Sequence, residues 1–187
     1  MEISPQKFSN EETLINKEGE IIEILHLNIQ CLSNKILALE CYLLHNTNVK
    51  IVCLNEHWLR KDHLSCINLG NYVLASYYCR DEIKNGGSCI FVHPEIKTYS
   101  LDKVVTLSKP KICEISACCI RALNLVVISV YRSTEQKNVD TFVEIMSKAL
   151  DIVTVIGKEI NVLVTGDYNV HFNNIIDGNV QCVKQLF

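Results

Sequence analysis

A chain of 187 residues has room for one domain with its own core, and 48% hydrophobic against 21% charged residues exclude a disordered or fibrous protein. Eighteen basic and twenty-one acidic residues leave a net charge of −3, which excludes a strongly basic nucleic-acid coat but not a local basic groove. No apolar run reaches the ~18 residues of a membrane helix, and Met1 to Glu20 lacks a basic-then-apolar order. The sequence therefore predicts an intracellular protein, the nucleus included, with no signal peptide and no membrane partner.

Residues 1–20 read as a loose polar leader, and 21–187 as a single domain. Ile21 to Gln30 reads as a strand that is apolar at first and polar at its end. Ser33 is placed to cap a helix carrying Ile36, Leu39 and Leu43 on one side, with Leu37, Cys41 and Leu44 beside them. Val49 to Asn55 is a short apolar run, the mark of a fully buried strand, and Glu56 follows it. Tyr72 to Tyr78 and Ser88 to Val92 form a hairpin pattern across Asn85-Gly86-Gly87. Ile112 to Ile120 and Leu123 to Tyr131 are two more strands, with a tight turn near Arg121. Phe142, Ile145, Met146, Ala149, Ile152, Val153 and Ile156 keep a helical period. Asn138 or Asp140 is placed to cap that helix, and Gly157 to close it in the left-handed region. A strand from Ile160 to Thr165 leads into Gly166-Asp167-Tyr168-Asn169, and Val180 to Phe187 reads as the opening of a helix. Two long helices among many strands predict a layered α/β sandwich.

Ten cysteines, several within apolar runs and none in a CxxC pair, read as reduced, mostly buried side chains rather than a disulfide or zinc framework. His26, His57 and His171 lack a metal-ligand spacing and read as structural.

Four apolar strands finish in polar residues that a core does not require. They end in His26, Asn28 and Gln30; in Asn55, Glu56 and His57; in Tyr131 and Arg132; and in Asp167 and Asn169. Ligands of layered α/β folds bind past such strand ends. Two carboxylates with amides, a phenol and a guanidinium suit a hard cation and a phosphate. Taken singly, each has an ordinary reading. Glu56 would be a solvated loop residue, Asn28 a turn residue and Tyr131 edge packing. Arg132 would be solvated, Trp58 core, and Gly-Asp-x-Asn a plain turn. The fourfold repetition of the pattern favours a site.

Leu27-Asn28-Ile29-Gln30, Leu54-Asn55-Glu56-His57-Trp58-Leu59, Gly86-Gly87, Val130-Tyr131-Arg132-Ser133 and Gly166-Asp167-Tyr168-Asn169, in this order, resemble the endonuclease/exonuclease/phosphatase superfamily. Within it, they resemble most the endonuclease domain of non-LTR retrotransposon polyproteins. The resemblance implies a four-layered α/β sandwich, two packed mixed sheets flanked by helices. It implies a Mg²⁺ (or Mn²⁺) ion held by Glu56 and Asn28. It places Tyr131 on the scissile phosphate, Asp167 on the attacking water, and Asn169 on the phosphate in the transition state. The partner implied is the DNA backbone, nicked to prime reverse transcription.

The sequence departs from that pattern twice. Tyr131-Arg132 continues into Ser133 rather than proline, and the eighteen residues after Asn169 contain no Ser-Asp-His. The resemblance thus implies a domain incomplete at its C-terminus, truncated before its last strands and its Asp–His pair. Such a chain is expected to nick DNA poorly. A non-catalytic remnant acting as a binding module and a different phosphoesterase of the superfamily remain as alternatives.

Overall fold

The computed structural model describes residues 21–81, 85–134, 139–157 and 159–169, together with the backbone of 11–15. Among the described residues, nine strands form two mixed sheets. The first contains β1 (Glu11–Ile15), β2 (Ile21–Asn28), β3 (Val49–Asn55), β4 (Val73–Tyr78) and β5 (Ser88–Val92), in the order β1-β2-β3-β5-β4. The second contains β6 (Tyr99–Ser100), β7 (Glu114–Ile120), β8 (Leu125–Tyr131) and β9 (Asn161–Asp167), in that order. Each sheet has one parallel pair, β2 with β3 and β8 with β9, and all other pairings are antiparallel.

Strand alternation builds the layers. One face of the first sheet, with Leu25, Val52, Leu54 and Phe91, packs under Leu39 and Leu43 of α1 (Ile36–His45) and Leu64 of α2 (Lys61–Ser65). One face of the second, with Ile115, Ala117, Ile128 and Val130, packs under Val104 of α3 (Asp102–Val105) and Phe142, Met146 and Ala149 of α4 (Val139–Ile156). The remaining faces meet each other, Ile24, Ile51, Ile90 and Val92 against Cys118, Ile120, Leu125 and Val127. The result is the four-layered sandwich expected from the sequence.

The same alternation positions the site. Each inward face changes from apolar to polar along its strand: Ile24-His26-Asn28, Ile51-Cys53-Asn55, Ile120-Cys118-Ser116-Glu114 and Leu125-Val127-Ser129-Tyr131. Pairing register aligns the polar ends. Asn28 pairs with Asn55 and Asn55 with Ser88 in one sheet; Glu114 pairs with Tyr131 and Tyr131 with Asp167 in the other.

Several local expectations are corrected. Glu11–Ile15, inside the stretch expected to be loose, forms a strand on the edge of β2; its Glu-Glu-Thr opening hides any apolar alternation. Ser33 lies in a 3₁₀ turn, and α1 starts after Lys35 with no side-chain cap. Leu37 and Leu44, expected beside the buried side of α1, point outward. The Ile112 strand start moves to Glu114, because Ile112 and Cys113 belong to a turn bonded to the Lys109 carbonyl, and the Leu123 start moves to Leu125, because Arg121–Leu123 is a 3₁₀ turn closed by Asn124 at φ 49°. Gly157 is not among the left-handed residues, and Asp140 lies within the first turn of α4 rather than capping it. The short helices α2 and α3 had no counterpart in the sequence reading. Asn138, His171, Cys182 and the Val180 to Phe187 segment lie outside the described residues.

Of the nine described cysteines, none is in a disulfide; Cys53, Cys89, Cys113, Cys118 and Cys119 are buried, whereas Cys41 and Cys66 are exposed. Burial holds the Cys118 thiol up at about 12. Among the described residues, no helix is long and apolar enough to cross a membrane.

Candidate functional site

Four of the five residues singled out by their motifs meet at the polar ends of the two parallel strand pairs. The Asn28 amide nitrogen donates to Glu56 Oε1 at 2.8 Å and to Asp167 Oδ2 at 2.6 Å. Tyr131 is close enough to the Glu56 carboxylate to feel its charge. Burial, then the neighbouring Glu56 charge, drives the Tyr131 hydroxyl well above its ordinary range, so it stays a protonated donor. Asn169 is linked less directly. Its backbone N–H donates to Asp167 Oδ1 at 3.1 Å, while its side-chain amide donates to the Arg132 carbonyl at 2.5 Å.

Glu56 reaches this position through unusual backbone. It has φ 56°, and Trp58 has φ 61°. Such values are uncommon outside glycine and persist where surrounding contacts over-determine them. Here the backbone N–H of Glu56 donates to Gly87 O at 2.8 Å and that of Trp58 to Gly86 O at 3.0 Å. Gly87 is required by close approach: a Cβ there would lie 2.2 Å from His57 Nε2, and its φ is +92°.

His57 anchors the loop from below. Its Nε2–H donates to the Tyr78 carbonyl at 3.0 Å and its Nδ1 accepts from the Leu59 N–H at 3.0 Å, a pattern that only the neutral ring completes. Burial lowers its pKa to about 4. His26 is likewise held below its ordinary value, chiefly by burial. Its Nε2 bonds Asn55 Oδ1 at 2.7 Å, and the same oxygen accepts the Asp167 backbone N–H at 3.1 Å. The Asn55 amide donates to the hydroxyls of Ser88 and Ser129, each at 3.2 Å, and Ser88 in turn bonds Ser116 at 2.8 Å. Asn55 thus joins both sheets beneath Asp167.

Two single-residue readings are corrected. Arg132, read as solvated, is buried: its Nη1 donates to the carbonyls of Tyr168 at 3.0 Å and Asn169 at 3.2 Å, and its guanidinium lies 5.8 Å from the Phe142 ring centre. Stacking on an aromatic ring and bonding backbone carbonyls offset its desolvation. Trp58, read as core, is 38% exposed, because the left-handed turn after β3 carries it outward, where its indole N–H donates to Glu56 Oε2 at 3.1 Å.

The sequence reading missed Arg80 and Glu114. They form a buried ion pair, and Glu114 Oε2 also accepts the Gly87 N–H at 2.6 Å, fixing the loop that fixes Glu56. Ser88, Ser116 and Ser129 were missed as well. The available signal was a hydroxyl interrupting an otherwise apolar strand, as in Ile115-Ser116-Ala117 and Ile128-Ser129-Val130.

The donor set fits a hard divalent cation. Two carboxylates converge on one amide donor, and the opposite atom of that amide, Asn28 Oδ1, is buried without a hydrogen-bond partner. Among the described residues no three His, Cys, Asp or Glu side chains gather as a closed metal cage. Few protein oxygens and several waters are what magnesium accepts.

No family model matches the chain, and no curated protein matches its sequence significantly. Solved structures do match. The endonuclease domain of TRAS1, a telomere-specific non-LTR retrotransposon, superposes with a TM-score of 0.60 at 10% identity, over 87% of this chain and 69% of that one. An AP endonuclease from Archaeoglobus fulgidus gives 0.57 at 14% identity, over 88% and 69%. A mannosyl-6-phosphatase of Bacteroides thetaiotaomicron gives 0.56 at 13% identity, over 86% and 69%. By these names the architecture serves both DNA and sugar-phosphate chemistry, so likeness alone does not choose a substrate. Its layers, strand order and neighbours together give this chain the endonuclease/exonuclease/phosphatase fold.

Proposed function

We propose that the chain is a divalent-metal-dependent phosphodiesterase of nucleic acid, a DNA-nicking endonuclease of the non-LTR retrotransposon type. The observation that carries this reading is the Asn28 amide, which joins Glu56 to Asp167 through its nitrogen and leaves its oxygen buried and unpartnered.

Glu56 would hold Mg²⁺ or Mn²⁺, joined by Asn28 with its amide turned over so that Oδ1 rather than the nitrogen faces the Glu56 carboxylate. When bound, the cation neutralises charge at a non-bridging phosphate oxygen. Tyr131, kept protonated, donates its O–H to the phosphate. Asp167, held by the Asn55 and Asn169 contacts, orients the attacking water and accepts its proton. Asn169 holds the phosphate as charge develops, its backbone fixed by Arg132.

Two measurements test this together. Calorimetry is expected to detect Mg²⁺ or Mn²⁺ binding that Glu56→Gln abolishes. A plasmid-nicking assay is expected to show slow, metal-dependent nicking that Asp167→Asn silences. Equal metal binding by Glu56→Gln, or nicking untouched by Asp167→Asn, would overturn the assignment.

A further inference from the structure

The exposed face of Trp58 has no part in the chemistry just described, yet the fold holds it in place at some backbone cost. Its indole is tied at the edge to Glu56 Oε2, and its backbone to Gly86. Beside it opens a cavity of about 280 Å³ lined by Cys31, Trp58, Arg60, His63, Arg80 and Asn85. Apart from its thiol, the polar side chains that line it among the described residues are cations, an imidazole and an amide, with no carboxylate. The Arg80 charge is already offset by Glu114, so Arg60 and His63, both exposed, are the groups that can meet an anion.

An exposed indole alone is commonplace, and so is an exposed arginine. Their conjunction within one small cavity, joined by a hydrogen bond to a candidate ligand of the cation, is what calls for an occupant. An aromatic face accepts any nucleobase by stacking, and a guanidinium accepts a phosphate oxygen. A nucleotide supplies both groups one sugar apart. The volume lies below the roughly 300–1,000 Å³ of sites for drug-sized ligands, which suits a single nucleoside.

We infer that this cavity is a subsite for one nucleotide of a nucleic-acid strand, its base stacked on Trp58 and its phosphate held by Arg60 and His63. The inference rests on the phosphodiesterase reading and deepens it, because a stacking subsite beside Glu56 selects a polynucleotide over a sugar phosphate.

Trp58 is the only tryptophan of the chain, so its fluorescence reports on this cavity alone. The full chain, without divalent metal, is titrated with short oligothymidylate, oligouridylate and an abasic phosphodeoxyribose of equal length. Both base-bearing strands are expected to quench the indole and the abasic one to leave it bright. By anisotropy of a labelled oligomer, Trp58→Ala is expected to weaken binding roughly 5- to 100-fold, the range of one base–aromatic stack, with Trp58→Phe recovering most of it. Arg60→Ala with His63→Ala, at exposed positions that leave the core intact, is expected to lower affinity and flatten its salt dependence by about one to two ions. Equal quenching by the abasic strand, unchanged binding by Trp58→Ala, or quenching only by an acidic aromatic peptide would overturn the subsite. Plasmid nicking separates the two claims. Base-dependent quenching without nicking keeps the subsite and removes the hydrolase; nicking without quenching does the reverse.

Discussion

The space between the two sheets has an apolar end and a polar end, built from the same strands. At one end Ile24, Ile51, Ile90 and Val92 meet Ile120, Leu125 and Val127. At the other, His26, Asn55, Ser88, Ser116 and Ser129 share hydrogen bonds, all of them buried. Hydrocarbon contact is non-directional and tolerates small shifts. A buried hydrogen-bond network tolerates few, because each unmet partner carries its full desolvation cost. The apolar end therefore holds the sheets together, while the polar end fixes where Asp167 sits relative to Asn28 and Glu56.

The strongest way to break this contrast is to make the polar end resemble the apolar one. Asn55→Leu removes the acceptor of His26 and the Asp167 N–H and the donor to Ser88 and Ser129. With several buried groups left short of partners, a loss of about 3 kcal/mol or more is expected in urea unfolding, together with loss of metal binding in calorimetry.

A second effect comes from pH. His57 titrates at about 4 in the fold against an ordinary 6.5, so between these values the unfolded chain takes up a proton that the folded chain refuses. Its stabilisation is complete above 6.5 and lost as pH falls through about 4, a change of about 3 kcal/mol. His26, also lowered, acts in the same direction. Urea midpoints measured from neutral to acid pH are expected to fall less steeply in His57→Gln than in the parent chain. A curve unchanged by that substitution would mean that His57 is not the group responsible.

The smallest effect sharpens the contrast from its other side. Ile51→Val, at the apolar end, is expected to cost about 1 kcal/mol and to leave metal affinity unchanged. A shift in metal binding from that variant would mean that the two ends are mechanically coupled.

Much of this was legible in the sequence because period two and period 3.6 are local. Val49 to Asn55 matched its strand residue for residue, and Phe142, Met146, Ala149 and Val153 mark the buried stripe of α4. The polar strand ends were legible too, since a run such as Ile-Val-Cys-Leu-Asn-Glu changes character within two residues. Register was not: nothing near Asn28 says that it faces Asn55, or that Tyr131 faces Asp167. Trp58 and Arg132 were misread because their types suggest the reverse burial, and left-handed backbone and a stacked, carbonyl-bound guanidinium override type. The Arg80–Glu114 pair was invisible because Arg80, in the loop after β4, and Glu114, at the start of β7, stand 34 positions apart in the chain.

The Asn28–Asp167 hydrogen bond spans 139 positions of chain. Closing so long a loop has an entropic cost, and β9 is the last described strand in the chain. The first sheet, with Asn28 and Glu56, can form from the earlier part of the chain, but the carboxylate that completes the pair arrives only with β9 on β8. A chain in which β9 has not docked on β8 therefore keeps the two groups that would hold the cation but lacks the carboxylate that would orient the water.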